Sequence, residues 1–278
     1  MSNEAIGRAA AERFRREHSL GSEPITNLVR FIERKVGIGV AYVRTSAAGH
    51  GMTMLLDDMH LMAVGCTKHP MRLRSTLAHE LGHHQLGTID SMTDGTDWAR
   101  RSPEEIQADA FARHLLVPMG GVADVVDGEE ATLATLSDIV QTYLASPHMV
   151  AIQMRDAGAI NADTCKQWGQ ITAGALAAQF GWRPEYQALV EQSSKPRGPQ
   201  SLMTRAIEGY RQGSVASSTI AKLSGDPDAS ATKAALAEEG IIPVEAPAVS
   251  APVLKTQVSG SPLRSCRRLW AAWSNADP

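Results

Sequence analysis

Cysteine is scarce in this chain. Its 278 residues include three, Cys66, Cys165 and Cys266, far apart and with no C-x-x-C pair. An odd number so widely spread excludes a disulfide framework and a cysteine-held zinc site. Aromatic residues are lean at 5%, beside an ordinary 43% of hydrophobic residues. An excess of one charge is missing too: the formal net charge is -3 and the pI is near 6.3. That gives no support for a large nucleic-acid surface or a polybasic membrane face. No apolar run approaches the roughly 18 to 20 residues of a membrane span. The N-terminus, Met1 to Glu4 followed by Arg8, Arg15 and Arg16, lacks the apolar core of a signal peptide. The expectation is a soluble, cytoplasmic protein with no membrane partner. The length allows one large domain or two small ones.

What is present centres on one stretch, Thr76-Leu77-Ala78-His79-Glu80-Leu81-Gly82-His83-His84. Met71, Leu73, Leu77 and Leu81 are apolar at near-helical spacing, so the stretch reads as helix, from about 71 to 86. Four residues along a helix is a little over one turn, which puts His79 and His83 on one face. Two imidazoles so placed can share one zinc ion, and Glu80 can reach a water there without ligating the metal. This is the chemistry of a zinc hydrolase, with Glu80 as general base and then acid. The bare five-residue pattern also arises by accident, so it needs a third ligand.

In one class of zinc peptidase the helix would run on to a glycine and a third histidine. Leu86 and Ile89 stand at those offsets, which excludes that class. The remaining common solution is a glutamate on a following helix. Ser102-Pro103-Glu104-Glu105 opens such a helix, with Ser102 as N-cap and Pro103 in the first turn. Glu105 fits the third ligand, but it also fits a capping box that reaches back to Ser102. Glu104 is a further candidate, facing roughly 100° away around the helix. Asp109 lies one turn after Glu105 on the same face, where it could accept from the non-ligating nitrogen of His79 and fix its tautomer.

The rest of the chain reads mainly as helix. Residues 4 to 19 form a first helix, with arginines and glutamates away from its apolar side, and a second starts near Pro24 and ends at Gly37. Three strand-like segments follow, 40 to 44, 51 to 56 and 60 to 64, with a turn at Asp57-Asp58. They are expected to form a small antiparallel sheet supporting the metal helix. Residues 88 to 101 read as a polar loop whose aspartates lack calcium-loop spacing. The glutamate helix stops at 117 to 121. Helical stretches recur at about 131 to 144, 146 to 156 and 161 to 180. The organisation expected is a metallopeptidase domain over 1–122, a helical extension over 123–181, a linker over 182–200, a small helical unit over 201–241 and a disordered tail over 242–278. The 201–241 unit could pass for a helix-turn-helix. Four basic residues against five acidic ones give it little attraction for phosphate, so direct DNA binding is disfavoured. Arg264 to Trp273 in the tail mixes arginines with Leu269, Trp270 and Trp273, and is read as frayed.

His79-Glu80-Leu81-Gly82-His83, then Glu105-x-x-Ala108-Asp109-x-Phe111-Ala112 and Leu115-Leu116-Val117-Pro118, resembles the ImmA/IrrE family of zinc metallopeptidases. The resemblance covers roughly residues 4 to 120, departing slightly at Val117, where methionine is commoner. It implies an α+β, zincin-like metallopeptidase domain followed by an all-helical C-terminal region. It also implies His79, His83 and Glu105 as Zn²⁺ ligands, Glu80 as catalytic base, and a protein substrate of the helix-turn-helix repressor type, in stress responses or mobile elements. The alternative is a non-hydrolytic, zinc-containing regulator, or a zinc sensor, acting through the helical C-terminal half. The oxyanion-stabilising residue stays open among several histidines and tyrosines.

Overall fold

Ser2 starts the first helix, α1 (Asn3–Glu17), by accepting a hydrogen bond from the Ala5 amide at 3.2 Å. The computed structural model describes residues 1–45, 50–56, 59–88, 102–128 and 130–244. The turn expected at Asp57-Asp58, the aspartates of the 88–101 loop and the tail from 245 onward, with Cys266 and Arg264 to Trp273, lie outside the described residues. Helix α1 buries Ala10, Ala11 and Phe14 as its apolar stripe requires. Arg15, read from sequence as part of the solvent face, is buried as well. Its guanidinium donates to the carbonyls of Gly21 (2.8 Å), Glu23 (2.5 Å) and Leu115, so it ties α1 to two other segments.

Asn27 caps α2 (Leu28–Phe31), which widens into a π-type turn over Ile32–Val36. Gly37, at φ 81°, ends it in a left-handed conformation that favours glycine. Strands β1 (Gly39–Val43), β2 (Gly51–Leu56) and β3 (Met59–Gly65) form a sheet in the order β1-β3-β2. β2 and β3 are antiparallel, with Thr53 opposite Met62, whereas β1 and β3 are parallel, with Val40 opposite Met62. The sheet is therefore mixed rather than antiparallel throughout. Met62 and Val64 are fully buried, and the strand carrying them takes the middle. Met52, more than half exposed, marks β2 as an edge.

Pro70 begins α3 (Pro70–Leu86), and Gly87 caps its end at φ 69°. Ser102 accepts from the Glu105 amide to start α4 (Pro103–Leu116). α4 lies against both α1 and α3, with a glycine at each contact. A Cβ on Gly7 would overlap the Gln107 carbonyl, and one on Gly82 would lie 3.1 Å from Ala108 Cα. After Pro118 the chain forms α5 (Met119–Val126) where a stop was expected. Its glycines are there for close approach, since a Cβ on Gly121 would overlap the Tyr143 hydroxyl. Helices α6 (Leu133–Tyr143) and α7 (Pro147–Asp156) follow, capped by Thr132 and Ser146. The stretch read as one helix over 161 to 180 is two, α8 (Ala162–Trp168) and α9 (Ala173–Gln179). Thr172 breaks it by capping α9 through the Ala175 amide. Residues placed in a linker form α10 (Arg183–Ser194) because Pro184 falls in its first turn, where proline is tolerated.

By contacts the described chain divides into two units, residues 1–43 with 50–200, and residues 44–45 with 201–244. The first is organised around one large apolar core. The second contains most of α11 (Gln200–Arg211), with α12 (Ser217–Ser224) and α13 (Ala229–Glu238). These pack through Ala206, Tyr210 and Ile220. Gly213 and Gly225 make its turns at positive φ, where the sequence placed the breaks. No described helix is long and apolar enough to cross a membrane.

Candidate metal centre

Helix α3 presents His79 and His83 one turn apart, as their spacing requires, and their Nε2 atoms stand 3.0 Å from each other. Helix α4 brings Glu105 to the same point. Its Oε2 lies 3.3 Å from His79 Nε2 and its Oε1 lies 3.3 Å from His83 Nε2. The two accounts of Glu105 are thus separated. Its backbone amide takes the Ser102 cap, while its carboxylate turns to the histidines. Glu104 stands outside this cluster, the one group of potential metal-holding side chains among the described residues.

Each ring is fixed by its other nitrogen. Asp109 Oδ1 lies 2.9 Å from His79 Nδ1, so the ring donates there and its Nε2 turns to the cluster. His83 Nδ1 lies 2.8 Å from the Thr88 hydroxyl, which in turn donates to the His83 carbonyl at 3.4 Å. That leaves the hydroxyl oxygen to accept from Nδ1, and His83 Nε2 is again the free acceptor. Two ring nitrogens and a carboxylate therefore converge as acceptors. Donor atoms about 2.1 Å from a tetrahedral ion stand about 3.4 Å apart, close to the separations found, and two nitrogens with one oxygen is a zinc donor set.

The electrostatics point the same way. Burial pulls the His79 pKa down, but the hydrogen bond and charge of Asp109, with Glu105 and Glu80, outweigh it and the net shift is upward. His83 is lowered, first by burial and then by its positive neighbour His79, against the pull of Glu105 and Asp109. The carboxylates that hold a proton on His79 favour any cation in that position.

Glu80 is buried under the sheet. The Thr53 hydroxyl on β2 donates to Glu80 Oε2 at 2.9 Å, and Gly51 leaves room for the carboxylate. A Cβ on Gly51 would come within 2.6 Å of Glu80 Cγ and Oε1. Burial raises the Glu80 pKa, against the Thr53 hydrogen bond and the His79 charge. Thr53, Gly51 and Thr88 escape a reading of sequence. The first two depend on strand register, and Thr88 offers only its position just beyond the Gly87 cap.

Among the described residues no other histidine belongs to the cluster. The His84 ring packs 5.1 Å from that of His60, and its pKa is lowered by burial and then by His60. His114 is buried on another face of α4, with Gln153 at 3.2 Å. The Tyr143 hydroxyl donates to the Ser22 carbonyl at 3.0 Å, and His148 lies against Gly169.

Residues 36–150 match the family model described as the IrrE N-terminal-like domain, a peptidase family. The matched segment spans the sheet and both ligand helices. No curated protein matches the chain.

Proposed function

We propose, from the premise that residues 36–150 are an IrrE/ImmA-like peptidase domain, that this chain cuts a repressor-type DNA-binding protein in the cytoplasm. The domain and the His79, His83 and Glu105 cluster make it a zinc metallopeptidase, and the family points to a protein substrate. Convergence of these three side chains on one point is the observation that carries the reading. The repressor class rests on family likeness alone.

His79 and His83, through Nε2, and Glu105, through its carboxylate, are the residues that would hold the ion. Zinc there supplies a Lewis acid that acidifies a water and polarises a peptide carbonyl. Glu80 accepts the proton of the attacking water and returns it to the leaving amine as the C–N bond breaks. Thr53 engages one oxygen of Glu80 and leaves the other for the proton. Asp109 orients His79, and Thr88 orients His83.

No described residue pairs with the outer edge of β2, the strand that carries Thr53. An extended substrate segment added along that edge would lie beside Glu80. We assign the chemistry to residues 1–122 and substrate recognition to the helical parts over 123–181 and 201–241.

The test is zinc content together with cleavage. Wild type is expected to carry stoichiometric zinc and Glu105→Ala to lose most of it. Glu80→Gln is expected to keep zinc and lose cleavage of the repressor. If Glu80→Gln keeps its biological effect while truncation after about residue 125 abolishes it, the chain is a non-hydrolytic regulator instead.

A further inference from the structure

Near the N-terminal half of α3, before the metal residues, the first unit contains a cavity of about 380 Å³. That is within the size range of small-molecule sites. Leu28, Val29, Leu73, Leu77, Leu144 and Leu189 supply apolar wall. Arg74, Lys195 and Arg197 also line it, and among the described residues no aspartate or glutamate does. A cationic, largely apolar cavity is unexpected in a chain whose net charge is negative.

Arg74 is the key group. It is half-buried and lines the cavity. Its guanidinium donates to the carbonyls of Leu144 (3.1 Å), Thr26 (3.2 Å) and Ile25 (2.6 Å). Those bonds use three of its five N–H groups and no carboxylate. Among the described residues no acid forms an ion pair with Arg74, and burial lowers its pKa to about 10. Arg197 differs, since Glu33 pairs with it at 3.2 Å. A positive charge held by carbonyl dipoles alone in a low-dielectric site gains strongly from an anion.

The walls are built rather than incidental. Tyr42 and Arg197 exchange backbone hydrogen bonds of 2.9 and 3.1 Å, which fix the 195–197 segment beside β1. The Ser193 hydroxyl donates to the Thr67 carbonyl at 2.8 Å and pins the end of α10. The Arg197 guanidinium lies 5.8 Å from the centre of the Tyr42 ring, placing a second positive charge beside that wall.

We infer that this cavity binds a small organic carboxylate, its acid group on Arg74 and its apolar body against the leucines of α2, α3 and α10. The site does not depend on the peptidase reading, and it draws on residues that the metal centre does not use. Leu77 precedes His79 by two residues, so occupancy of the cavity and the position of the metal residues share one rigid helix.

The experiment is calorimetric titration of the full chain with hexanoate, 1-hexanol and hexyl phosphate. Hexanoate is expected to bind at one site per chain, at least about tenfold more tightly than the neutral alcohol, the difference one charge-assisted hydrogen bond makes. Arg74→Gln is expected to lower hexanoate affinity by about tenfold or more. Since Arg74 also ties carbonyls together, Leu189→Trp provides a second variant. It fills the cavity from a half-exposed helix face, leaves Arg74 in place and is expected to abolish binding. Equal binding of hexanol and hexanoate would overturn the acid-group assignment. Unchanged hexanoate binding in a folded Leu189→Trp chain would remove the ligand from this cavity. Binding of hexyl phosphate but not hexanoate would replace the carboxylate with a phosphate ester.

Discussion

Gly51 and Thr53 sit two apart on β2 and constrain Glu80 in different ways, one by having no side chain and the other by donating a hydrogen bond. Gly51→Ala pushes a methyl group into the carboxylate. It is expected to leave zinc bound and to lower the cleavage rate, on the order of a hundredfold for a displacement near 1 Å. Steady-state cleavage beside metal analysis checks this. Asp109→Asn keeps the shape but weakens the hold on His79, so zinc affinity is expected to fall about 10- to 100-fold in a chelator competition. At this scale the sequence is legible where function follows helical spacing. His79, His83 and Asp109 are readable because one turn of helix relates each to a partner, and Glu80 because it adjoins His79. Glu105 was legible only as one of two uses of a carboxylate, and the structure separates them by giving the cap to its amide. Thr53 has no such signal, since its place beside Glu80 depends on how β2 pairs with β3.

Among elements, α4 matters most for the site because it carries Glu105 and Asp109 and is held from two sides. Arg15 ties α1 to the end of α4 by donating to the Leu115 carbonyl. Arg15→Met removes the donor from the buried Leu115 carbonyl and two part-buried ones and is expected to cost about 1 to 3 kcal/mol, read as a lower urea midpoint. The zinc of the protein that remains folded is expected to be unchanged. Helix starts were legible at Ser102 and Pro70, where a cap or first-turn proline precedes the helix, but the same signals at Thr172 and Pro184 were read as helix interior and linker. Sheet order was not, because which strand takes the middle is decided by burial across the sheet and not by neighbours along the chain. Helix α5 was obscured by Gly120 and Gly121, read as a stop although they serve contact with Ser22 and Tyr143. Arg15 was read as solvated because its carbonyl partners, at Gly21, Glu23 and Leu115, all lie outside its own helix and carry no sequence signal.

For the whole molecule, two expectations follow. His114 is buried with its pKa lowered to about 4, by desolvation first and then by Arg113 and Arg8, against Glu12 and Asp156. The unfolded chain binds a proton there near pH 6.5 while the folded chain resists it. Its contribution is present in full above that pH and is lost as pH falls from about 6.5 towards 4, on the order of 3 kcal/mol. Urea unfolding across that range is expected to show a steep loss of stability that His114→Leu flattens. Truncation after residue 200 removes the second unit from Ser201 onward, which has its own small core. The shortened chain is expected to retain stoichiometric zinc and cooperative unfolding. Loss of either would show that the two units depend on each other to fold.

Gly82 lies between the two metal histidines, where a Cβ would come within 3.1 Å of Ala108 Cα. An added methyl group there would move α3 and α4 apart by a few tenths of an ångström. Divalent ions differ in preferred bond length on that same scale, from about 2.0 to 2.2 Å for zinc to about 2.3 to 2.6 Å for calcium. The radius of the ion admitted is therefore set partly by a residue that touches no ion. A wider gap would favour larger metals at the expense of zinc, without any change of ligand.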